Sequence, residues 1–148
     1  MRDRSRAIGA LILVATLPAL AGASLGAREV TATVVGLRSG KGQIMACMTS
    51  RPDAFPGCVN DPKARRLIVP ATTTLLDFGS VAEGRYAIAL IHDENGNGKL
   101  DKHLMIPREG FGFSQDAPVV MGPPRFSKAS FPVGSVSEHV AITMRYML

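Results

Sequence analysis

The segment HDENGNGKLD, residues 92–101, is the part of the chain whose residue types and spacing best suit chemistry. Oxygen-bearing side chains recur at alternate positions, and the glycines between them permit a tight turn. Calcium prefers six to eight oxygen ligands, and short Asp and Asn side chains at this spacing point into a curled loop. The spacing predicts a calcium site, with the following ligands: Asp93, Asn95, Asn97, Asp101 and the backbone carbonyl of Lys99.

The match to the calcium loop of an EF-hand is incomplete. Position 12 of that loop is normally a bidentate Glu, whereas this chain has Leu104 there. Only the two Asp carboxylates are certain ligands, with Glu94 or Glu109 as further candidates. We therefore expect weak binding, at about 0.1 to 1 mM, as in extracellular modules. The alternative is a plain hairpin loop in which the Asn-Gly pairs only supply positive φ angles.

A second distinctive segment, EGFGFSQDAP, covers residues 109–118. In an extended chain Phe111 and Phe113 lie on one face, so the two rings could form a platform for a sugar or a peptide. The chain has no Trp, two Tyr and six Phe, so its core also needs these rings. Core packing is therefore the favoured interpretation of the two rings, and the platform is the alternative.

Residues that could perform catalysis lack the context that catalysis needs. Ser114, Asp116 and His103 supply the residue types of a triad, but no GxSxG elbow surrounds the serine. His92 and His103 could hold a transition metal across the loop ends, although the histidines have no zinc-type spacing. Glu109 with Asp116 could imitate the carboxylate pair of a glycosidase, but two acids in a loop are usually solvated.

The start of the chain has the layout of a secretory signal peptide. Three arginines precede an apolar run, residues 7–21, which is shorter than the roughly 20 residues of a membrane-spanning helix. Small residues favour cleavage after Ala23, with Ala27 as the alternative site. Residues 1–23 are therefore expected to be removed, and an uncleaved membrane anchor is the other possibility.

The two cysteines, Cys47 and Cys58, are expected to form a disulfide because the chain is bound for an oxidising compartment. Their spacing is not CxxC, and the segment between them contains the Pro and Gly of a loop. A closed loop of about 12 residues gives roughly 3 kcal/mol in the chain-entropy model. The bridge is therefore interpreted as a structural one.

The charge of the chain does not indicate a nucleic-acid binder. Removing residues 1–23 leaves 14 basic and 11 acidic residues, a net charge of +3. The densest basic cluster, Arg65 and Arg66 with Lys63, has no interleaved aromatic residues. A solvated loop is its expected setting.

The apolar pattern after residue 28 has the period of β-strands. Predicted strands cover residues 30–35, 43–49, 66–69, 72–78, 86–92 and 140–148, and the first two are expected to form a hairpin. The stretch between residues 93 and 134 is rich in Gly and Pro, and short strands of its own are expected to order part of it. No segment after the signal region has the length and period of a helix. Six or seven short strands separated by turns predict a sandwich.

The motifs together resemble a bacterial family of exported domains of unknown function. The likeness rests on Gly84-Arg85-Tyr86, HDENGNGKLD, IPREGFGFS and MGPPRF, and extends from about Val30 to Tyr146. The resemblance implies a β-sandwich of the transthyretin or prealbumin type with no established activity. The Gly-x-Tyr segment with its D-x-N-x-N-G loop is also locally similar to B-type repeats of surface adhesins, whose loops bind calcium.

The sequence thus predicts one all-β domain, residues 24–148, built as a single antiparallel β-sandwich of about seven strands, transthyretin-like or immunoglobulin-like. We expect a non-catalytic binding or structural module, periplasmic or secreted, with Ca²⁺ as a weakly bound cofactor. The expected partner is an envelope protein, a peptide or a glycan, with no nucleic acid and no stable membrane insertion after signal cleavage. The alternative is a hydrolase of envelope polymers that uses acids of the region 93–116.

Overall fold

The computed structural model describes residues 28–148. The predicted signal peptide, residues 1–23, and both candidate cleavage sites lie outside the described residues. The strands are β1 (Arg28–Val35), β2 (Gln43–Thr49), β3 (Arg65–Pro70), β4 (Leu75–Val81), β5 (Gly84–Asp93), β6 (Lys102–His103), β7 (Ile106–Pro107), β8 (Gly110–Phe113), β9 (Phe131–Val133) and β10 (Glu138–Thr143). A 3₁₀ turn (Ser114–Asp116) and a short helix α1 (Phe126–Ala129) are the helical elements of this region. The prediction of a mostly β chain is confirmed.

The strands form two larger sheets and one short ribbon. The three-stranded sheet has the order β10-β1-β4, and the five-stranded sheet has the order β3-β2-β5-β8, with β9 also paired to β5. The ribbon consists of β6 and β7. All pairings between these strands are antiparallel except β1 with β10, which run parallel. A parallel pair needs a long connection, and nearly the whole described chain lies between these two strands.

Alternating apolar residues give the two larger sheets one shared core. β1 and β10 bury every second side chain along most of their length, as the period-two pattern requires. The inward residues of β1 are Val30, Ala32 and Val34, and those of β2 are Ile44, Ala46 and Met48. Both sets belong to the same buried cluster, so the two sheets pack against each other across it.

The predicted hairpin between the first two strands is wrong. β1 pairs with β4 and β10, whereas β2 pairs with β3 and β5 in the other sheet. The glycine-rich segment 36–42 carries the chain from one sheet to the other, and Gly36 and Gly42 have φ angles of 76° and 68°. Alternation predicts which side chains face the core, but both sheets face the same core, so it does not identify the partner strand.

Two glycines in β8 allow the sheets to approach closely. A Cβ atom at Gly112 would lie 2.9 Å from Cγ2 of Ile142 and 3.1 Å from Sδ of Met144. A Cβ atom at Gly110 would lie 2.5 Å from Cε1 of Tyr146. The alternation of Gly and Phe in GFGF therefore puts the small residues against β10 and the C-terminal segment that follows it, and the two rings on the opposite face.

The strand boundaries depart from the predicted ones in the second half of the chain. The last strand ends at Thr143 rather than at residue 148, because Arg145 leaves that sheet and pairs with Phe111 of β8. The segment predicted as residues 72–78 begins only at Leu75. Four short strands in the region 93–134 raise the number above seven, and the transthyretin-like or immunoglobulin-like assignment stays a prediction. Within residues 28–148, no helix is both long and apolar enough to span a membrane.

Candidate functional site

The predicted calcium loop begins where β5 ends. Asp93, the last residue of β5, is fully buried, and the chain then turns through residues 94–101 to β6. Gly96 and Gly98 have φ angles of 72° and 79°, in the left-handed region that glycine adopts without strain. The two Asn-Gly pairs therefore place their glycines where the turn requires them.

The buried carboxylate of Asp93 holds the start of the turn. Its Oδ1 accepts a hydrogen bond from the backbone N–H of Asn97 at 3.1 Å. Its Oδ2 accepts hydrogen bonds from the backbone N–H of Gly98 at 2.7 Å and from Nε2 of Gln43 at 2.8 Å. Burial alone would raise the pKa of the Asp93 carboxyl, but these hydrogen bonds outweigh burial and hold the pKa below its ordinary value.

The other predicted side-chain ligands converge on Asp101. Its Oδ2 accepts hydrogen bonds from Nδ2 of Asn97 at 2.9 Å and from Nδ2 of Asn95 at 2.6 Å. These two bonds lower the pKa of the Asp101 carboxyl. The amide oxygen of Asn95 accepts from the backbone N–H of Asn97, and the amide oxygen of Asn97 accepts from the backbone N–H of Lys99. The structure thus gathers the side chains of the predicted site into one turn.

Glu109 closes the loop from outside, although the sequence suggested it only as a further ligand. Its side chain is buried, and its two oxygens accept hydrogen bonds from the backbone N–H groups of Glu94 at 3.0 Å and Asp101 at 2.9 Å. The backbone N–H of Arg108 also donates to the carbonyl of Asp101 at 2.9 Å. The two ends of the loop are therefore held together by one carboxylate that lies eight residues beyond Asp101.

Glu94, the other suggested ligand, is engaged by a different set of residues. Its carboxylate accepts hydrogen bonds from the guanidinium of Arg38 and, at 2.8 Å, from the hydroxyl of Ser39. The hydrogen bond with Arg38 lowers the pKa of the Glu94 carboxyl. The same guanidinium lies 4.4 Å from the ring centroid of Tyr146. Glu94 thus joins the loop to the C-terminal segment through Arg38.

The two histidines suggested for a transition metal lie in different surroundings. His92 is fully buried, with Nδ1 2.7 Å from the Tyr146 hydroxyl and Nε2 2.8 Å from the Lys41 carbonyl. His103 is exposed in the β6–β7 ribbon. Among residues 28–148, no three side chains of His, Cys, Asp or Glu come together in a way that could hold a metal ion. A cation in the loop would therefore depend on amide and carbonyl oxygens beside two carboxylates.

The residue types of a catalytic triad are not assembled. Ser114 is fully buried, and its hydroxyl donates to the carbonyl of Ala129 at 2.6 Å. Asp116 accepts a hydrogen bond from the backbone N–H of Thr143 at 2.9 Å. Neither residue has a hydrogen bond with His103 in the described structure. Asp116 and Glu109, the two acids considered as a glycosidase pair, belong to separate hydrogen-bond networks. Glu109 accepts from the backbone N–H groups of Glu94 and Asp101, whereas Asp116 accepts from that of Thr143.

The rings of Phe111 and Phe113 are buried, as the core-packing interpretation requires. Their centroids are 6.1 Å apart, and the ring of Phe55 packs edge-on against Phe113 at 5.9 Å. They form a second cluster, separate from the shared core, on the opposite face of the five-stranded sheet. Both residues also border a cleft on that face.

The predicted disulfide is present. Cys47 and Cys58 are bonded, their Cα atoms lie 5.8 Å apart, and no free cysteine remains in residues 28–148. The bond ties the end of β2 to the turn segment 50–60. The residues on either side of this segment are joined by a hydrogen bond from the hydroxyl of Thr49 to the buried carboxylate of Asp61, which lowers the pKa of that carboxyl.

Comparison with known proteins gives a family and no closer relative. No curated protein and no solved structure matches the chain. The family model described as "Uncharacterized protein conserved in bacteria (DUF2141)" matches residues 32–141. That range contains the predicted calcium loop, both cysteines and the two phenylalanines of β8. Because the match extends over most of the chain, the protein belongs to the DUF2141 family.

Proposed function

We propose that the protein is an exported, non-catalytic β-sandwich module that binds or supports another component of the cell envelope, and that its loop 94–101 binds calcium weakly. The proposed location is periplasmic or secreted, because residues 1–23 have the layout of a signal peptide. The disulfide supports the same location, since such bonds persist in oxidising compartments.

One observation carries the calcium proposal: the side chains at the four alternate positions are already gathered by hydrogen bonds within a single turn. Asp93 accepts from the two N–H groups that lie four and five residues further along, which fixes the curl of the loop. A preformed curl removes part of the ordering cost that a flexible loop would meet on binding an ion.

Calcium binding requires a small rearrangement of the two amides. The nitrogens of Asn95 and Asn97 now donate to Asp101, and a cation would take the amide oxygens instead. Turning each amide about its terminal bond exchanges its nitrogen and oxygen, and it also breaks the hydrogen bonds that the two amide oxygens now accept from the backbone N–H groups of Asn97 and Lys99. The carbonyl of Lys99 would complete the set proposed from the sequence.

The proposed affinity is low, at about 0.1 to 1 mM, because only two carboxylates, Asp93 and Asp101, belong to the proposed ligand set. At about 10 mM calcium the folded state would gain roughly 1.4 to 2.7 kcal/mol by mass action. For a chain of this size that gain corresponds to a rise in melting temperature of roughly 4 to 13 °C.

The test is a thermal melt of residues 24–148 with calcium or with sodium chloride of equal ionic strength. Asp93→Ala and Asp101→Ala should each abolish the calcium-dependent rise, whereas Glu94→Ala should keep most of it. Because Asp93 is buried and its loss could impair folding, Asp101→Asn is the more conservative loop variant.

The matched control is Asp53→Asn, since Asp53 is an exposed acid paired with Arg51 outside the loop. It should show the same calcium-dependent rise as the unmodified protein. Equal rises in the unmodified protein and in Asp101→Asn would mean that the loop is only a turn.

A further inference from the structure

A large cleft lies on the outer face of the five-stranded sheet, away from the shared core. Its volume is about 1010 Å³. The inward residues of β2 and β5 fill the core, so the residues between them point to this outer face. The strand register aligns Ile68, Met45, Ile91 and Phe111 in one row across β3, β2, β5 and β8. These four side chains border the cleft and form its floor.

This floor is apolar where an outer sheet face is usually polar. An antiparallel sheet with one face on the core normally alternates between apolar inward residues and polar outward residues. Here the neighbouring row is Arg66, Cys47, Ala89 and Phe113, so the outward side of both central strands lacks charged residues in these rows. The outer face therefore needs an apolar cover of its own.

The chain covers this face only in part. The β6–β7 ribbon and residues 119–123 border the cleft, but their apolar side chains are largely exposed. Met105 is 84% exposed, Val120 is 85% exposed and Met121 is 99% exposed. Apolar residues that border a cleft and are also exposed to solvent are typical of a binding site.

The charges around the cleft have one sign. Within the part of the chain that the structure describes, no Asp or Glu borders the cleft, whereas Arg66 and Lys102 do. Both are exposed, and neither forms an ion pair with another residue in the range 28–148. The guanidinium of Arg66 is anchored through hydrogen bonds to the carbonyls of Cys58 and Asp61. An anionic group at the cleft would therefore meet a fixed positive charge.

We propose that this cleft binds an anionic amphiphile with a single acyl chain, of the fatty-acid type. The acyl chain would lie on the row of Ile68, Met45, Ile91 and Phe111, and the carboxylate would lie beside Arg66 or Lys102. The volume is at the upper end of the range for small-molecule sites, which suits a long flexible ligand. None of the side chains proposed as calcium ligands borders the cleft, although Gly98 and Leu100 of the same loop do, so the titrations are made without calcium.

The test is calorimetric titration of the protein with octanoate, decanoate and dodecanoate below their micelle concentrations. Each step adds two methylenes, so affinity should rise roughly tenfold per step. Dodecanol, which has the same chain without charge, should bind more weakly than dodecanoate. Lys102→Glu or Arg66→Glu should weaken the binding of dodecanoate at least roughly twofold. Neither substitution should change the affinity for dodecanol.

A filling variant separates the cleft from other apolar surfaces. Ile91→Trp enlarges a half-buried side chain on the cleft floor, so it should weaken the binding of dodecanoate at least about tenfold. Leu75→Trp is the matched control, because Leu75 is exposed on β4 and does not border the cleft. Should Ile91→Trp fail to fold, the charge-reversal variants and the chain-length series still decide the outcome.

Three results would overturn the proposal. The first is an affinity that does not change with chain length. The second is binding to anionic vesicles only, which would indicate a membrane-facing surface. The third is a concentration-dependent dimer in sedimentation that dodecanoate leaves unchanged, which would mean that a second copy covers this face.

Discussion

Replacing Gly112 by Ala tests how closely the two sheets approach each other. The added Cβ would lie 2.9 Å from Cγ2 of Ile142, 3.1 Å from Sδ of Met144 and 3.1 Å from the carbonyl oxygen of Thr143. Ile142 is fully buried and Thr143 contributes a backbone atom, so neither can move far at low cost. The substitution should therefore strain the contact between β8 and the three-stranded sheet.

The expected magnitude combines two opposing effects. Adding a methyl group to a well-packed core typically costs about 1 to 3 kcal/mol. Replacing Gly by Ala also restricts the unfolded chain, which stabilises the folded state by about 0.4 to 1 kcal/mol where the backbone permits it. The free energy of unfolding should fall by about 0 to 2.6 kcal/mol relative to the unmodified protein, and the melting temperature by roughly 0 to 10 °C. A Gly→Ala control that has room for the methyl group lacks the packing cost, so Gly112→Ala should be about 1 to 3 kcal/mol less stable than such a control.

Gly134→Ala is the matched control for this substitution. No heavy atom lies within 4 Å of the Cβ position at Gly134, and neither glycine has a left-handed backbone. The control should therefore melt at the same temperature as the unmodified protein or slightly above it. Urea unfolding of both variants gives the free energies. A Gly112→Ala variant as stable as the Gly134→Ala variant would refute the close approach of the sheets.

Two further predictions concern the disulfide and the carboxylates. Replacing Cys47 and Cys58 together by Ser should lower the free energy of unfolding by roughly 2 to 4 kcal/mol in urea titrations, and an unchanged unfolding midpoint would contradict a stabilising role. The pKa values of Asp93 and Asp101 lie below their ordinary values, so both carboxylates stabilise the fold above the unfolded-state pKa of about 3.9. That stability should be lost as the pH falls through the lower folded-state pKa values, which thermal melts below about pH 5 would record. The Asp101→Asn variant should lose less stability over the same pH interval, because it lacks one of the two carboxylates.

Much of the secondary structure could be predicted from the apolar segments and the turn residues between them. Residues 43–49 were expected as a strand and form β2 with the same bounds, and residues 86–92 lie within β5. The strand partners could not be predicted, because alternation is the same on either side of a shared core. The parallel β1–β10 pair joins residues far apart in sequence, and no local pattern encodes it.

The candidate site could likewise be predicted only in part from the sequence. The spacing of Asp93, Asn97 and Asp101 predicted a curled loop, and their hydrogen bonds form within that loop. The two residues that hold the loop from outside it could not be predicted. Gln43 donates to Asp93 from the neighbouring strand, and Glu109 accepts from backbone N–H groups of the loop. The sequence does not show whether a lone acidic residue binds a cation or accepts hydrogen bonds from the backbone.

The parallel pairing of β1 and β10 affects the order in which the chain can acquire its structure. β1 is the central strand of its sheet, but one of its two neighbours comes from residues 138–143. Until those residues pair with it, β1 has an open edge with unpaired backbone groups, which favours association with other chains. Contacts between distant residues also form slowly. A chain cut before residue 138 would therefore keep an incomplete sheet and would be a target for chaperones and proteases.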